Sequence, residues 1–200
     1  KMNVKTVSYL NKDAAKILTN SLRETGFAVL TDHPISISLI NDAYKQWEEF
    51  FHSDIKNNYL FDKDKQDGFF PFGTENAKGY KEKDLKEFYH IYSWGKYPNE
   101  INQSTNLLFK NIVELTSTIL KWIQDETPSN IKSLFSMPLP KMIKNSENHL
   151  LRILHYPPLS GNEPFNAIRG AAHEDINLIT LLVAGTQPGL QVKDTSGTWH

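Results

Sequence analysis

Arg169-Gly-Ala-Ala-His173-Glu-Asp175-Ile-Asn-Leu-Ile-Thr-Leu-Leu182 is the stretch on which the reading of this chain turns. It sets an imidazole and a carboxylate two residues apart, just ahead of an apolar run, Asn177 to Val183, that reads as a strand. In extended backbone, residues i and i+2 project from the same face, so His173 and Asp175 can grip one cation while Glu174 faces the other way. The chain has no cysteine, so a transition-metal site here must use His, Asp and Glu. His-x-Asp supplies two ligands of a two-histidine, one-carboxylate triad, which holds Fe(II) and leaves coordination positions open. Taken by themselves, the two residues also fit a surface turn ahead of a strand.

The pattern occurs a second time, at His52-Ser53-Asp54. That pair follows a helical stripe of Leu39, Ile40, Ala43, Tyr44, Trp47, Phe50 and Phe51. Residues two apart on a helix point in different directions, so this pair reads as a solvated helix end.

Working outward from residue 169, His149 to Tyr156 reads as a strand closed by Pro157-Pro158. Downstream, Gln187-Pro188-Gly189 turns into Leu190 to Lys193, and Asp194 to Gly197 makes a hairpin loop into Thr198. Further upstream the texture is helical. Ala14, Ala15, Ile17, Leu18 and Leu22 recur at helical spacing until Gly26. Leu108, Ile112, Leu115, Ile119 and Ile123 predict a long helix stopped by Pro128, and a shorter one around Ile131, Leu134 and Phe135 ends before Pro138 and Pro140. Phe27 to Leu30 reads as a short buried strand, and Glu87 to Trp94 as an aromatic one. Asp62 to Tyr80 has loop composition, with Gly68, Gly73 and Gly79 among Phe69, Phe70 and Phe72. A lid or a plain excursion with its phenylalanines in the core fits this stretch equally. Lys81-Glu82-Lys83-Asp84 reads as a solvated charged face. The expected class is therefore α+β: residues 1–140 helix-rich, residues 141–200 strands and turns suited to a jelly roll.

Composition excludes several functions. The balance of 22 Lys+Arg against 23 Asp+Glu offers no basic surplus for nucleic acid. No apolar run reaches the roughly 18 residues of a membrane helix, and no signal-peptide core opens the chain. A cytoplasmic globular protein with neither membrane nor nucleic-acid partner is expected; oligomeric state leaves no sequence signal. Lys1 before Met2 reads as a tag remnant, and Trp199-His200 stands inside a strand. The chain is therefore expected to be the N-terminal part of something longer.

The His173–Asp175 neighbourhood resembles the metal-binding segment of the isopenicillin N synthase-like iron oxygenases. There a His-x-Asp pair runs into a Leu-Thr-Leu-Leu strand and then a Gly-Leu-Gln-Val strand, here Gly189 to Val192. Leu151-Arg152 through Tyr156-Pro157-Pro158 is similar to the family's Arg…Tyr-Pro strand. Gly26-Phe27, His33-Pro34-Ile35, Phe50-Phe51 and Asp84-Leu85-Lys86-Glu87 follow in order. The resemblance implies a helix-rich region followed by a double-stranded β-helix, a jelly roll of which this chain holds part. It implies a non-haem dioxygenase that uses Fe(II), 2-oxoglutarate and O2 to oxidise a small-molecule substrate, releasing succinate and CO2.

Carried over residue by residue, His173 and Asp175 match the first two metal ligands, Tyr156 the tyrosine that helps bind 2-oxoglutarate, and Arg152 a structural position. Leu154 stands where many plant members have an Asn that contacts the co-substrate. That departure leaves open a same-fold iron oxidase that does not use 2-oxoglutarate, or a catalytically incomplete metal-binding jelly roll. The family's second histidine and its carboxylate-clamping Arg and Ser lie on later strands. His200 follows Trp199 where the family has an ordinary strand residue, and is not expected to be a ligand.

Overall fold

The computed structural model describes residues 4–75, 81–144, 146–193 and 196–200. Lys1 and Met2, Gly79 and Tyr80 of the expected loop, and Asp194-Thr195 of the expected hairpin lie outside the described residues. In chain order the elements are β1 (Thr6–Ser8), α1 (Ala14–Thr25), β2 (Val29–Thr31), α2 (Ile37–His52), a 3-10 helix (Asp54–Tyr59), β3 (Gly68–Phe70), β4 (Glu87–Ile91), α3 (Ser104–Glu126), α4 (Ser129–Lys132), α5 (Leu139–Lys144) and β5 (Leu151–His155). No described helix is long and apolar enough to cross a membrane. The chain divides into two compact units, one of residues 1–35, 111–145 and 181–200, the other of 36–110 and 146–180.

In the first unit, α1 buries Ala14, Leu18 and Ser21 and ends at Gly26, which takes the left-handed conformation that closes a helix cheaply. β1 and β2, on either side of α1, pair in parallel from Thr6↔Val29 to Ser8↔Thr31. The strand expected to be buried at 27–30 is instead exposed, Phe27 at 41% and Val29 at 50%. With β1 as its one partner among the described residues, its far edge and outer face stay open, and Val7 takes the buried position. The Ser21 hydroxyl donates to the Phe27 carbonyl at 2.7 Å and accepts the Lys5 amide at 3.0 Å, joining the helix to both strand ends. The short helix around Ile131, α4, does end before Pro138 and Pro140, and these two prolines sit at the start of α5, where a missing N–H goes unneeded.

In the second unit, β3, β4 and β5 form an antiparallel sheet whose register runs Gly68↔His90, Phe70↔Phe88, Glu87↔His155 and His90↔Arg152. Side chains alternate across it. Phe69 and Tyr89 face α2, where Trp47 lies 5.0 Å and Phe50 5.7 Å from the Tyr89 ring. Phe70, Phe88 and His90 face the other way, and Phe61 stacks on Phe70 at 4.2 Å. The stretch read as loop from residue 62 therefore contains a strand, with Phe69 and Phe70 in the core and only Phe72 exposed. Trp47 donates to the Thr105 hydroxyl at 2.9 Å, a buried bond that fastens α2 to the first turn of α3.

Residues 177–183, expected as a strand, have no ladder partner among the described residues. Ile176, Leu178 and Leu182 are exposed. A strand exists through its inter-strand hydrogen bonds, so an apolar run alone does not make one. Val192 and His200, on either side of the hairpin loop expected at 194–197, exchange both backbone hydrogen bonds, at 3.0 and 2.9 Å.

Candidate metal and co-substrate site

The candidate residues follow β5. After Tyr156 the chain loops out and is drawn back by Arg169, whose Nη1 donates to the carbonyls of Tyr156 and Pro157, each at 3.1 Å. This places Gly170 beside the Tyr156 hydroxyl; a side-chain carbon at Gly170 would stand 3.6 Å from that oxygen. Tyr156 is 39% exposed. Two bonds then moor the returning segment to the residues ahead of β4. The Leu85 amide donates to the Ile168 carbonyl at 2.9 Å, and the Ala171 amide to Asp84 Oδ1 at 3.2 Å.

His173 and Asp175 come next, and the fold brings them together: Nε2 lies 3.5 Å from Oδ1. His173 Nδ1 is 2.9 Å from the Ala171 carbonyl. A carbonyl only accepts, so Nδ1 carries a proton, and in the neutral ring this leaves the lone pair on Nε2, on the side of the carboxylate. Asp175 Oδ2 accepts from the Thr180 hydroxyl at 2.5 Å, which steadies the other oxygen. Both side chains are half exposed. This donor set suits a divalent transition ion: one imidazole nitrogen of fixed tautomer, one anionic oxygen, and a hydrogen bond behind each. Among the described residues, no third His, Cys, Asp or Glu joins them.

The other histidines behave differently. His52 is the last residue of α2 and its Nδ1 bonds the Glu48 carbonyl, while Asp54 begins the next helix, so that His-x-Asp pair is an exposed helix end. His155 lies 2.8 Å from buried Glu87, which Lys56 also contacts at 2.9 Å. His200 pairs through its backbone with Val192.

The charges near residue 84 are where sequence reasoning fell short. Residues 81–83 are exposed as expected, but Asp84 and Lys86 are only 3% and 5% exposed. Lys86 Nζ sits 2.8 Å from Asp84 and 2.9 Å from Glu75, and Arg152 Nη2 reaches Glu75 at 2.7 Å. The Arg152 guanidinium also lies over the Phe88 ring at 4.2 Å. Two cations and two carboxylates thus balance one another. Burial alone would push the Glu75 carboxyl up; Lys86 and Arg152 outweigh it and hold it below its ordinary value. Burial likewise works against the Lys86 ammonium, yet Asp84 and Glu75 raise its pKa. The signal was the Asp84-Leu85-Lys86-Glu87 run, whose even positions turn to one face as the chain enters β4.

Comparison with known proteins adds independent findings. Residues 7–112, more than half of the chain, match a family model described as the N-terminal region of the non-haem dioxygenase in morphine synthesis. A candidate oxygenase from Shewanella oneidensis shares 46% identity and superposes with a TM-score of 0.88, over 99% of this chain and 70% of that one. A candidate 2OG-Fe(II) oxygenase family protein from Caulobacter crescentus shares 28% identity at a TM-score of 0.76, over 100% of this chain and 70% of that one. Flavonol synthase/flavanone 3-hydroxylase of Matthiola incana is 25% identical over 99 residues, 50% of this chain. The match spans only 31% of that plant enzyme.

Proposed function

This chain belongs to the non-haem dioxygenase family, and from that premise we propose that it serves an Fe(II)- and 2-oxoglutarate-dependent oxygenase that oxidises a small molecule. Residues 1–140 form the helix-rich region in this reading. Residues 141–200 form the first part of a double-stranded β-helix in the same reading. The observation that carries the proposal is the 3.5 Å approach of His173 Nε2 to Asp175 Oδ1, with the proton held on Nδ1 by Ala171.

His173 and Asp175 would hold the iron. Bound there, Fe(II) supplies the redox chemistry that couples decarboxylation of 2-oxoglutarate to succinate and CO2 with oxidation of substrate by O2. Asp175 contributes the anionic oxygen, with Oδ2 kept in place by Thr180. Tyr156, 39% exposed beside Gly170, would present a phenol donor to the co-substrate's carboxylate. Arg152 takes no part in binding, because Glu75 and the Phe88 face already occupy its guanidinium.

The test uses the full-length protein. Anaerobic addition of Fe(II) and 2-oxoglutarate should produce a weak visible charge-transfer band that H173A and D175A abolish. Y156F should weaken 2-oxoglutarate binding about tenfold, the effect of losing one hydrogen bond to a charged group. Absence of both iron uptake and succinate release in the wild type would overturn the proposal.

A further inference from the structure

Ala171 is held at both ends of its peptide geometry. Its amide donates to Asp84 Oδ1 at 3.2 Å, and its carbonyl accepts from His173 Nδ1 at 2.9 Å. Ala171 is 2% exposed and Asp84 3%, so neither bond competes freely with water. Asp84 divides its two oxygens: Oδ1 goes to Ala171, and Oδ2 to Lys86 Nζ at 2.8 Å. The Leu85 amide on Ile168, at 2.9 Å, adds a second mooring three residues upstream.

From this we infer that Asp84 is a positioning residue for the metal site. Through the backbone of Ala171, whose amide and carbonyl lie in successive peptide units, it sets the ring orientation and tautomer of His173, 89 residues away in the sequence. The physical reason is direct. Without Asp84 the amide of the 170–171 peptide loses its buried acceptor, the Ala171 backbone that joins it to the 171–172 peptide is less firmly held, and the carbonyl that keeps the proton on Nδ1 is freed to shift. His173 itself is half exposed, so little else constrains the ring. Lys86 serves a separate purpose, balancing the buried charge of Asp84 while it also contacts Glu75.

The inference rests on the reading of His173 as a metal-holding residue, and the experiment separates the two. Full-length wild type, D84A, D84N and E75Q are titrated with Co(II) alone, and the His173 tautomer is read by 15N NMR in the metal-free proteins at a pH where the ring is neutral. D84A should weaken Co(II) binding about tenfold, at the low end of the loss seen for outer partners of metal ligands. D84N keeps an oxygen acceptor for Ala171 and should stay within about threefold of wild type, as should E75Q despite a lower stability. The neutral His173 ring should carry its proton on Nδ1 in wild type and shift toward Nε2 in D84A.

Equal loss of affinity in D84A and E75Q, or a wild-type ring protonated on Nε2, would overturn the inference. If wild type takes up no Co(II), the metal reading fails, and the tautomer shift in D84A alone decides the positioning role. If D84A does not fold, D84S takes its place, its shorter side chain drawing the acceptor back from the Ala171 amide: weakened Co(II) binding with a tautomer shift supports the role, and wild-type affinity and tautomer overturn it.

Discussion

Arg152 gives one guanidinium nitrogen to both oxygens of Glu75, 2.7 Å from each, across 77 residues of sequence. The contact ties β5 to the chain leading into β4 while the other flank of Glu75 is held by Lys86 at 2.9 Å. One partly exposed carboxylate therefore serves two cations.

Removing that carboxylate charge should cost little at neutral pH, because the Glu75 side chain is 38% exposed. E75Q is expected to lose about 1 kcal/mol, the upper end for a solvent-screened pair. The folded pKa of Glu75 lies below its ordinary 4.5. Its contribution is thus complete above that value and disappears as pH falls through the folded pKa. Urea unfolding of wild type and E75Q between pH 7 and pH 2 should show a gap that closes with acid. A gap that widens would contradict the assignment.

His90 should impose a pH slope of its own. Burial drives its pKa from 6.5 down to about 4, with the Gln66 carbonyl opposing and Arg152 assisting. The unfolded chain then takes up this proton first. Stability is complete above 6.5 and declines between 6.5 and about 4. H90F removes the titration, and its unfolding midpoint should change less than that of wild type across this window.

The buried bond from Trp47 to Thr105 makes a sharp case for T105V. The substitution conserves shape but leaves the indole N–H without its acceptor, 2.9 Å away in the native protein. An orphaned buried donor costs about 1–3 kcal/mol. Equilibrium denaturation should show that loss with no change in helical circular dichroism.

At Gly68 the backbone has φ of +103°, and a side-chain carbon would stand 2.6 Å from the Tyr59 carbonyl oxygen. G68A meets both the strain of that conformation and a clash with main chain that cannot swing aside. It should destabilise by about 2 kcal/mol or more, lowering the melting temperature well beyond G185A. The Gly185 position has no positive φ, and a side-chain carbon there comes no closer than 3.4 Å to any atom.

Particular residues show how far sequence reading reached. The stripe from Ile40 to Phe51 and the run from Leu108 to Ile119 became α2 and α3 because helical periodicity is written within a few turns. Gly26 ended its helix for an equally local reason. The strand at 68–70 was missed because three residues carry no period, and only pairing with β4 defines it. Asp84 and Lys86 were read as solvated for a similar reason: charge alone suggests water, and the partners that permit their burial are far away along the chain.

By itself, then, the sequence determined the helices, through a repeat of 3.6 residues between near neighbours, and it set His173 and Asp175 two positions apart, near enough for their side chains to meet. Tertiary structure alone decided that Asp84 would meet Ala171, that Arg152 would meet Glu75, and that β1 would lie alongside β2. Those contacts join residues from 23 to 87 positions apart. Their free energy comes from burial and charge balance that no local stretch of chain can provide.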